Sequence, residues 1–416
     1  MGEAALTICI PQSRGELAPR LVLYDQGRYF CKVAFKNFIL RGFHYKSICD
    51  VLLSYYEQLG NRYLTGWLSF QGGDFVRKLT KPGRLEKDDL VATVSPCNGW
   101  AGDPDIKWKY ELGVSRLQDI DLRVVAAPNS MRGSEYLAKN PKARAEDIMW
   151  AFENKEVRAI IANVGGNDSI KIIPYIEPKL IADNPKIVIG YSDVMNLHLL
   201  CYHSGLSTFY GDNLLTTIAD QTGWHEYSKK SFVKTLFDPS PIGMIEPSND
   251  WTFESSDHIA VSKMRHYYPN DGYKIIQGSG RTSGRLIGGH TGIIELEGTP
   301  IELKAEDYDG AILFVEDIPE FFNEEGVRVY FEYLGQKGIL QRINGVIIGK
   351  NNENADFSQQ ARIIRQIVTD KYSCAIPIIY GLNFGHSSPI CVLPYGALAE
   401  LDCEKKTFSI MESGVI

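Results

Sequence analysis

The stretch Lys186–Gly205 reads KIVIGYSDVMNLHLLCYHSG. A short apolar, β-branched run, typical of a buried strand, enters Gly-Tyr-Ser-Asp and continues into a segment with helical spacing. In open parallel sheets, ligands bind beyond the carboxyl ends of the strands, where loops lead into helices. The pattern therefore places Ser192 at the edge of a sheet where binding and catalysis are expected.

The same alternation extends on both sides of this corner, over residues 79–215. Further apolar runs read as strands and are separated by amphipathic, helix-like segments; they are LVATVSP, LRVVAAPN, RAIIANVGG and STFYG. Continuous apolar strands joined by helices indicate β-α-β units and a parallel sheet that is buried on both faces. The predicted fold class for this domain is α/β.

The remainder of the chain has a different texture. Residues 1–78 are basic and rich in aromatic residues, and they form a predicted N-terminal extension of unknown role. Residues 216–284 look irregular, with Trp and Tyr set among polar residues, which predicts a linker or loop region that lines the site. Residues 285–416 mix strands and helices and are predicted to form a smaller C-terminal α+β domain.

Composition narrows the classes of function. The net charge of −7 and the pI near 5.7, with no cluster of Lys or Arg, argue against a nucleic-acid partner or a membrane surface. Eight cysteines are scattered without a C-x-x-C pair, which favours reduced thiols. The sequence shows neither a signal-peptide pattern nor an apolar run of ~18 residues, so a cytoplasmic protein is predicted. No metal site or cofactor is predicted, because H-E-x-x-H and Cys/His clusters are missing from the sequence.

Ser192 has two interpretations. Unpaired backbone N–H groups at the start of the following helix can hold an oxyanion while the serine attacks a carbonyl, as in a nucleophile elbow. The match to G-x-S-x-G is partial, since Val194 stands where the second glycine would be. Alternatively, Ser192 or Asp193 simply caps the helix, as these residue types often do.

A second strand-to-helix corner, NVGGNDS at Asn163–Ser169, contains Gly165 and Gly166. Two glycines permit close backbone approach and can point an N–H group into the same crevice. The spacing matches neither G-x-G-x-x-G nor G-x-x-x-x-G-K-[ST], which disfavours a nucleotide-phosphate role. A tight turn without a ligand is the alternative.

A serine nucleophile needs a base and a group that orients the base. Among eight histidines, His386 lies in the glycine-flanked turn LNFGHSSP, a suitable place for an exposed imidazole. Glu316 and Asp317 end the apolar run in GAILFVEDIPE, where a carboxylate can fix the tautomer of a histidine. Alternatively, His386, Glu316 and Asp317 are ordinary loop residues whose side chains only form hydrogen bonds with the nearby backbone.

Assembled in order, these motifs resemble the LD-carboxypeptidase family of serine peptidases, and in particular its branch of microcin C self-immunity proteins. The resemblance covers residues 79–416 and rests on VSPCNGWAG, IIANVGGNDS, IGYSD, GRLIGG, EGTP, LFVEDIPE and NFGHSSP with LPYGALAELD. It implies a triad of Ser192 as nucleophile, Glu316 as orienting acid and His386 as base. It also implies oxyanion donors from the backbone of Asp193 and of the Gly165–Gly166 turn.

The resemblance further implies an N-terminal domain similar to class I glutamine amidotransferases, joined to a C-terminal domain that supplies Glu316 and His386, commonly as a homodimer. In the immunity branch, a loop between the nucleophile and the acid contributes an aromatic residue to the nucleobase. The long segment between Ser192 and Glu316 resembles that loop, and Trp251 is the residue that we predict for this contact.

Three functions follow as hypotheses. The first is a serine hydrolase that cleaves a peptidyl- or aminoacyl-nucleotide, with antibiotic resistance as its consequence. The second keeps the triad but releases terminal D-alanine from a murein tetrapeptide. The third, from another class, is a non-catalytic ligand-binding protein on the same scaffold, which would be favoured if His386 lay out of hydrogen-bond reach of Ser192.

Overall fold

The computed structural model describes residues 78–254, 265–351 and 357–416, and the backbone of two paired strands, Arg20–Leu21 (β1) and Val33–Ala34 (β2). The chain divides into two compact units, Met1–Gly73 and Asp74–Ile416. The predicted extension at residues 1–78 lies almost entirely outside the described residues, so its role stays a prediction.

A six-stranded sheet is built mainly from the first half of the second unit. Its strands are Leu90–Val94 (β3), Arg123–Ala126 (β4), Val157–Ala162 (β5), Ile187–Gly190 (β6), Phe209–Tyr210 (β7) and Leu393–Pro394 (β16). The order is β16-β7-β6-β5-β3-β4, with β3 to β7 parallel and β16 antiparallel to β7. Along β5, Ile160 packs in one hydrophobic cluster while Ala159 and Ile161 pack in another. Both faces of this sheet are therefore buried, as the continuous apolar runs predict.

Five α-helices connect these strands: Lys107–Gln118 (α1), Ser134–Lys139 (α2), Pro141–Glu153 (α3), Pro178–Asp183 (α4) and Met195–His203 (α5). All residues of α5 except His203 are buried. The helix has no solvent face of any width because it also packs on the second sheet, where a Cβ atom added at Gly289 would overlap the sulfur of Met195.

A mixed eight-stranded sheet forms the second layer, in the order β11-β15-β14-β13-β12-β17-β18-β8. Its strands are Gly243–Met244 (β8), Lys274–Gln277 (β11), Arg281–His290 (β12), Ile312–Glu316 (β13), Gly345–Gly349 (β14), Ile378–Leu382 (β15), Leu398–Asp402 (β17) and Thr407–Ile410 (β18). The four central strands, β12 to β15, are parallel, and antiparallel strands flank them. Helices Glu324–Gln336 (α7) and Ser358–Arg365 (α8) connect the central strands.

Residues 216–284 are more ordered than the sequence pattern suggests. They contain the helix Glu226–Phe237 (α6), and they supply β8 and β11, which are the two edge strands of the second sheet. A short antiparallel pair, Asp250–Trp251 (β9) with Tyr268–Pro269 (β10), lies between them. Strands of two to four residues with polar neighbours carry almost no periodic signal, which explains the difference. The predicted domain limits themselves stay predictions.

The last part of the chain returns to the first sheet and so joins the two sheets. β16 comes from the second half of the unit but pairs with β7 of the first sheet. Ile416 exchanges backbone hydrogen bonds with the first half, donating to Pro82 at 3.0 Å and accepting from Arg84 at 3.0 Å. One hydrophobic cluster contains residues of both sheets, such as Ile160 and Phe314. The two sheets therefore share one packed core and an interlocked chain path.

Candidate active site

Ser192 occupies the sharp turn between β6 and α5. Its φ of +65° lies in the left-handed region that residues with a Cβ atom rarely adopt. A short 3-10 turn, Ser192–Val194, follows immediately and leads into α5. Such a strained strand-to-helix turn lifts a side chain above the sheet edge, which is the geometry of a nucleophile elbow although Val194 replaces the second glycine.

The alternative interpretation as a helix cap is wrong for both residues at this corner. The N-cap positions are Tyr191 for the 3-10 turn and Val194 for α5, and neither side chain makes a cap hydrogen bond. The carboxylate of Asp193 accepts hydrogen bonds from the backbone N–H groups of Asp168 and Ser169, at 2.9 and 2.8 Å. Asp193 therefore binds the neighbouring corner and leaves the start of its own helix open.

Ser192, His386 and Glu316 form a continuous line of hydrogen bonds. The Ser192 hydroxyl lies 3.0 Å from Nε2 of His386, and Nδ1 of His386 lies 2.6 Å from Oε2 of Glu316. Because a buried, ionised carboxylate only accepts, Nδ1 carries the proton and Nε2 is free to accept from the serine. The backbone N–H of His386 donates to the same Oε2 at 3.1 Å, which fixes the loop as well as the ring.

Glu316 is the last residue of β13 and is fully buried. Burial alone would raise its pKa, but the charge and hydrogen bond of His386 and a hydrogen bond from Tyr210 outweigh that effect and hold the pKa below its ordinary value. Two glycines make room for the carboxylate. A Cβ atom at Gly349 would lie 2.8 Å from Cβ of Glu316, and one at Gly385, where φ is +89°, would overlap the carboxylate itself.

The predicted glycine turn packs directly against Ser192. A Cβ atom at Gly165 would lie 2.8 Å from Cβ and 3.0 Å from Oγ of Ser192, while one at Gly166 would lie 2.9 Å from Cβ of Cys97. Both approaches are too close for any residue but glycine. The turn thus lies where a backbone donor for the Ser192 site is needed, and the roles of Gly165, Gly166 and the Asp193 backbone as oxyanion donors stay predictions.

Arg144 supports this corner and was not identified from the sequence. Its side chain is fully buried, and Nη1 donates to the carbonyls of Pro96 and Cys97 at 3.1 and 2.5 Å and to Asp168 at 2.6 Å. The guanidinium joins the loop after β3 to the glycine corner. An arginine inside ARAEDIMW looks like an ordinary surface residue of an amphipathic helix, so the sequence holds no signal for it.

Tyr210, at the end of β7, also contacts the site. Its hydroxyl donates to Oε1 of Glu316 at 2.5 Å and accepts from the backbone N–H of Ser192 at 3.1 Å. A signal for this residue exists, because STFYG is an apolar strand whose carboxyl end lies at the same sheet edge as that of KIVIG.

Trp251 lies beside the loop that carries His386 but is only 2% exposed. Its neighbour Thr252 exchanges two backbone hydrogen bonds with Ser388, at 2.7 and 2.9 Å, which attaches β9 to the loop that carries His386. Nζ of Lys350 lies 4.6 Å from the centre of the indole ring. The adjoining Tyr268 is 36% exposed and offers the more accessible ring. Contact between Trp251 and a substrate therefore stays a prediction.

His198, in the helix that follows the elbow, has a structural partner at each ring nitrogen. His198 is buried, donates from Nε2 to the carbonyl of Gly190 at 2.9 Å, and accepts at Nδ1 from Thr208 at 3.0 Å. Burial lowers its pKa to about 4, so the ring is neutral and stabilises the strand before Ser192. Over the described ranges, no three His, Cys, Asp or Glu side chains are arranged to hold a metal ion, and no helix has the length and apolar character to cross a membrane.

Comparison with protein families identifies two matching segments. The LD-carboxypeptidase N-terminal domain matches residues 91–211, and the LD-carboxypeptidase C-terminal domain matches residues 283–401. Together they span more than half of the chain and contain Ser192, Glu316 and His386.

Three curated proteins are similar over most of their length. A putative carboxypeptidase of Vibrio cholerae is 30% identical over 67% of this chain and 83% of its own. The microcin C7 self-immunity protein MccF of Escherichia coli is 28% identical over 74% of this chain and 89% of its own. A probable murein peptide carboxypeptidase of Bacillus subtilis is 28% identical over 80% of this chain and 95% of its own.

Solved structures agree with the fold. The MccF-like protein from Streptococcus pneumoniae in complex with AMP superposes with a TM-score of 0.70 at 27% identity, covering 78% of this chain and 99% of that one. MccF in complex with aspartyl sulfamoyl adenosine gives a TM-score of 0.70 at 23% identity, covering 81% of this chain and 100% of that one.

Proposed function

We propose that this chain, which belongs to the LD-carboxypeptidase family of serine peptidases, cleaves the acyl bond of a peptidyl- or aminoacyl-nucleotide through an acyl-enzyme on Ser192. The observation that carries the proposal is the unbroken line of hydrogen bonds from the strained Ser192 through His386 to Glu316. A ligand-binding protein would need neither the strained backbone at Ser192 nor the fixed tautomer of His386.

In acylation, Ser192 Oγ attacks the carbonyl carbon while Nε2 of His386 takes the hydroxyl proton. Glu316 stabilises the imidazolium that forms, and its buried, lowered-pKa carboxylate is suited to that task. The backbone N–H groups of Asp193 and of the Gly165–Gly166 turn receive the developing oxyanion. His386 then protonates the leaving group, and the same ring activates the water that releases the acyl group.

The nucleotide substrate is supported by the segment between the elbow and Glu316. It is long, it is folded into α6, β8, β9 and β11, and it is attached to the loop of His386 through Thr252 and Ser388. The related MccF binds aspartyl sulfamoyl adenosine, and the MccF-like protein of Streptococcus pneumoniae binds AMP. Trp251 or the more exposed Tyr268 would supply the aromatic contact to the base.

Release of D-alanine from a murein tetrapeptide is the second candidate. It is favoured by the similarity to the Bacillus subtilis protein, which is as close in identity as MccF is. Assembly as a homodimer, a cytoplasmic location and a part in antibiotic resistance belong to the proposal through the family resemblance. Light scattering after gel filtration tests the dimer directly.

The test compares wild type, Ser192→Ala and Ser204→Ala on aspartyl sulfamoyl adenosine and on a peptide ending in D-alanine, with products identified by mass spectrometry. Ser204 directly follows the same helix, and its hydroxyl donates to the carbonyl of Leu200 at 2.8 Å, so it is the matched control. Ser192→Ala should lose roughly 10,000-fold or more in kcat with an unchanged melting temperature, while Ser204→Ala stays active. Turnover by Ser192→Ala would exclude the serine mechanism, and release of D-alanine alone would exclude the nucleotide substrate.

A further inference from the structure

We propose that Tyr210 is a positioning residue of this site, which closes the triad into a ring by linking the backbone of Ser192 to Glu316. The inference rests on the proposed serine mechanism and extends it to a residue outside the triad. Tyr210 lies on β7, next to the strand that carries the nucleophile, and it is fully buried.

The direction of each hydrogen bond at the hydroxyl is fixed by its partners. The backbone N–H of Ser192 can only donate, so the phenolic oxygen of Tyr210 accepts from it at 3.1 Å. The phenolic proton then goes to Oε1 of Glu316 at 2.5 Å, because an ionised carboxylate only accepts. The second oxygen, Oε2, is used by His386. Each oxygen of the carboxylate therefore has its own partner, which fixes the rotation of the group.

These contacts form a closed ring that crosses between the two sheets twice. It runs from the Ser192 N–H to Tyr210, on to Glu316 and His386, and back to the Ser192 hydroxyl. Ser192 and Tyr210 come from the first sheet, while Glu316 and His386 follow strands of the second. Tyr210 thus supplies one of the two side-chain links that hold the halves of the triad in register.

The surroundings keep the phenol neutral and immobile. Its ring packs against Phe314, Tyr395 and His198 with centroids 5.4, 6.5 and 6.1 Å apart. Burial and the nearby charge of Glu316 raise the pKa of Tyr210 well above its ordinary value. A neutral hydroxyl in a fixed place is a permanent donor to the carboxylate and a permanent acceptor for the strained elbow.

The expected consequence concerns the basicity of the dyad formed by Glu316 and His386. Donation from Tyr210 stabilises the anionic carboxylate, which weakens its hold on the proton of the imidazolium. Without that donor, Glu316 binds the imidazolium more tightly, so His386 becomes protonated at a higher pH and less of it is available as a base. The acid limb of the activity profile should then move to higher pH.

The test measures the labelling of Ser192 by a fluorophosphonate probe from pH 5 to pH 9. In this reaction Ser192 Oγ bonds to phosphorus, fluoride leaves, and the serine proton passes to His386, so no natural substrate is needed. Tyr210→Phe should label about 10- to 100-fold more slowly at pH 7, the loss expected for a hydrogen bond to a charged group. Its acid limb should lie at higher pH than that of the wild type.

Tyr395→Phe is the matched control. Tyr395 is equally buried and belongs to the same aromatic cluster, but its hydroxyl donates to the carbonyl of Gly288 at 2.8 Å. Losing it should lower the melting temperature without moving the pH profile. If Tyr210→Phe lowers the melting temperature but labels with the wild-type rate and profile, the hydroxyl is structural and the inference is wrong.

A second variant keeps the test decisive if Tyr210→Phe fails to fold. Replacement of Tyr210 by 3,5-difluorotyrosine through codon suppression retains the hydroxyl and makes it a stronger donor, so the acid limb should move to lower pH. A shift to higher pH, or none, overturns the inference. Failure of the proposed mechanism is distinguishable, since Ser192→Ala would then be labelled as fast as the wild type.

Discussion

The carboxyl ends of β6 and β13 occupy equivalent places in their two sheets, yet they present their side chains in opposite ways. After β6 the backbone turns through a positive φ, and Ser192 is lifted into the crevice, half-buried. β13 stays regular to its end, where Glu316 pairs in register with His290 and is fully buried. Backbone strain thus makes the proposed nucleophile accessible, whereas burial makes the proposed orienting acid rigid.

Burial of Glu316 is tolerated only because its carboxylate has three donors, which are the Tyr210 hydroxyl and two N–H groups of His386. Asp212, which follows β7, is equally buried, and there burial raises the pKa to about 8 despite a partial offset from the indole of Trp224. The contrast separates a carboxylate that is kept charged by its partners from one that is kept protonated by its surroundings.

Beyond Ser192→Ala, the largest of four further effects is expected where the charge at the end of β13 is removed. Glu316→Gln should lower kcat/KM by roughly 1,000- to 10,000-fold, since a neutral amide neither stabilises the imidazolium nor selects the tautomer. Asp317→Asn is the control, because Asp317 accepts from Thr291 and from the backbone of Ile318. In steady-state assays, Asp317→Asn should lower kcat/KM by less than about tenfold. Equal losses in the two variants would contradict the role of Glu316.

The next prediction concerns Arg144, which supports the glycine corner beside Ser192. Arg144→Met should lower the free energy of unfolding by about 3–4 kcal/mol, because Asp168 and the carbonyls of Pro96 and Cys97 lose a buried donor. Arg158→Met is the control. Arg158 is half exposed and lies 4.0 Å from Asp89, so its removal should change stability by less than about 1 kcal/mol. Denaturant unfolding distinguishes the two, and similar values would refute the supporting role.

Asp212 tests whether a buried carboxylate without strong hydrogen-bond partners makes stability fall, rather than rise, as pH increases. Its pKa in the folded state is above the ordinary 3.8, so the folded chain holds a proton that the unfolded chain releases, and stability falls as pH rises from about 4 to about 8. Asp212→Asn does not titrate. The stability advantage of Asp212→Asn over the wild type should widen by about 3–4 kcal/mol between pH 5 and pH 8 and then level off. A margin that is constant with pH in thermal unfolding would show that Asp212 is ionised in the folded chain.

The smallest of the four effects tests the space around Glu316. Gly385→Ala introduces a Cβ atom into the carboxylate and should reduce kcat by about 10- to 100-fold. Gly298→Ala is matched for backbone strain, with φ +80° against +89°, but the space around it is open to 4 Å. Both variants should lose stability through the positive φ, and Gly385→Ala should lose more through the overlap, while only Gly385→Ala should lose activity. Equal activities would mean that the carboxylate can move without consequence.

The sequence was most informative where chemistry coincides with a strand end. IGYSD, NVGGNDS and LFVEDIPE each place a polar residue directly after an apolar run, and the residues so identified lie together in the structure. Membership of the family, shown by its matching domains, confirms the α/β fold and a serine hydrolase. Tyr210 follows the same rule but was passed over, because a tyrosine in an apolar strand looks like an ordinary core residue.

Features that depend on distant pairing were not predictable. β8, β9 and β16 have two residues each, and their pairing is set by partners far along the chain. Burial of Arg144 and Trp251 likewise depends on what the rest of the chain packs against them. Local patterns hold no record of such contacts, which is why residues 216–284 looked irregular.

The strand β16 also bears on when the proposed triad can form during synthesis. His386 follows Ser192 by 194 positions, and the first sheet gains its edge strand only from residues 393–394. A ribosome makes the chain from the amino end, and folding proceeds as the chain emerges. The nascent protein therefore carries Ser192 long before His386 exists, and the proposed triad can form only after both residues have left the ribosome.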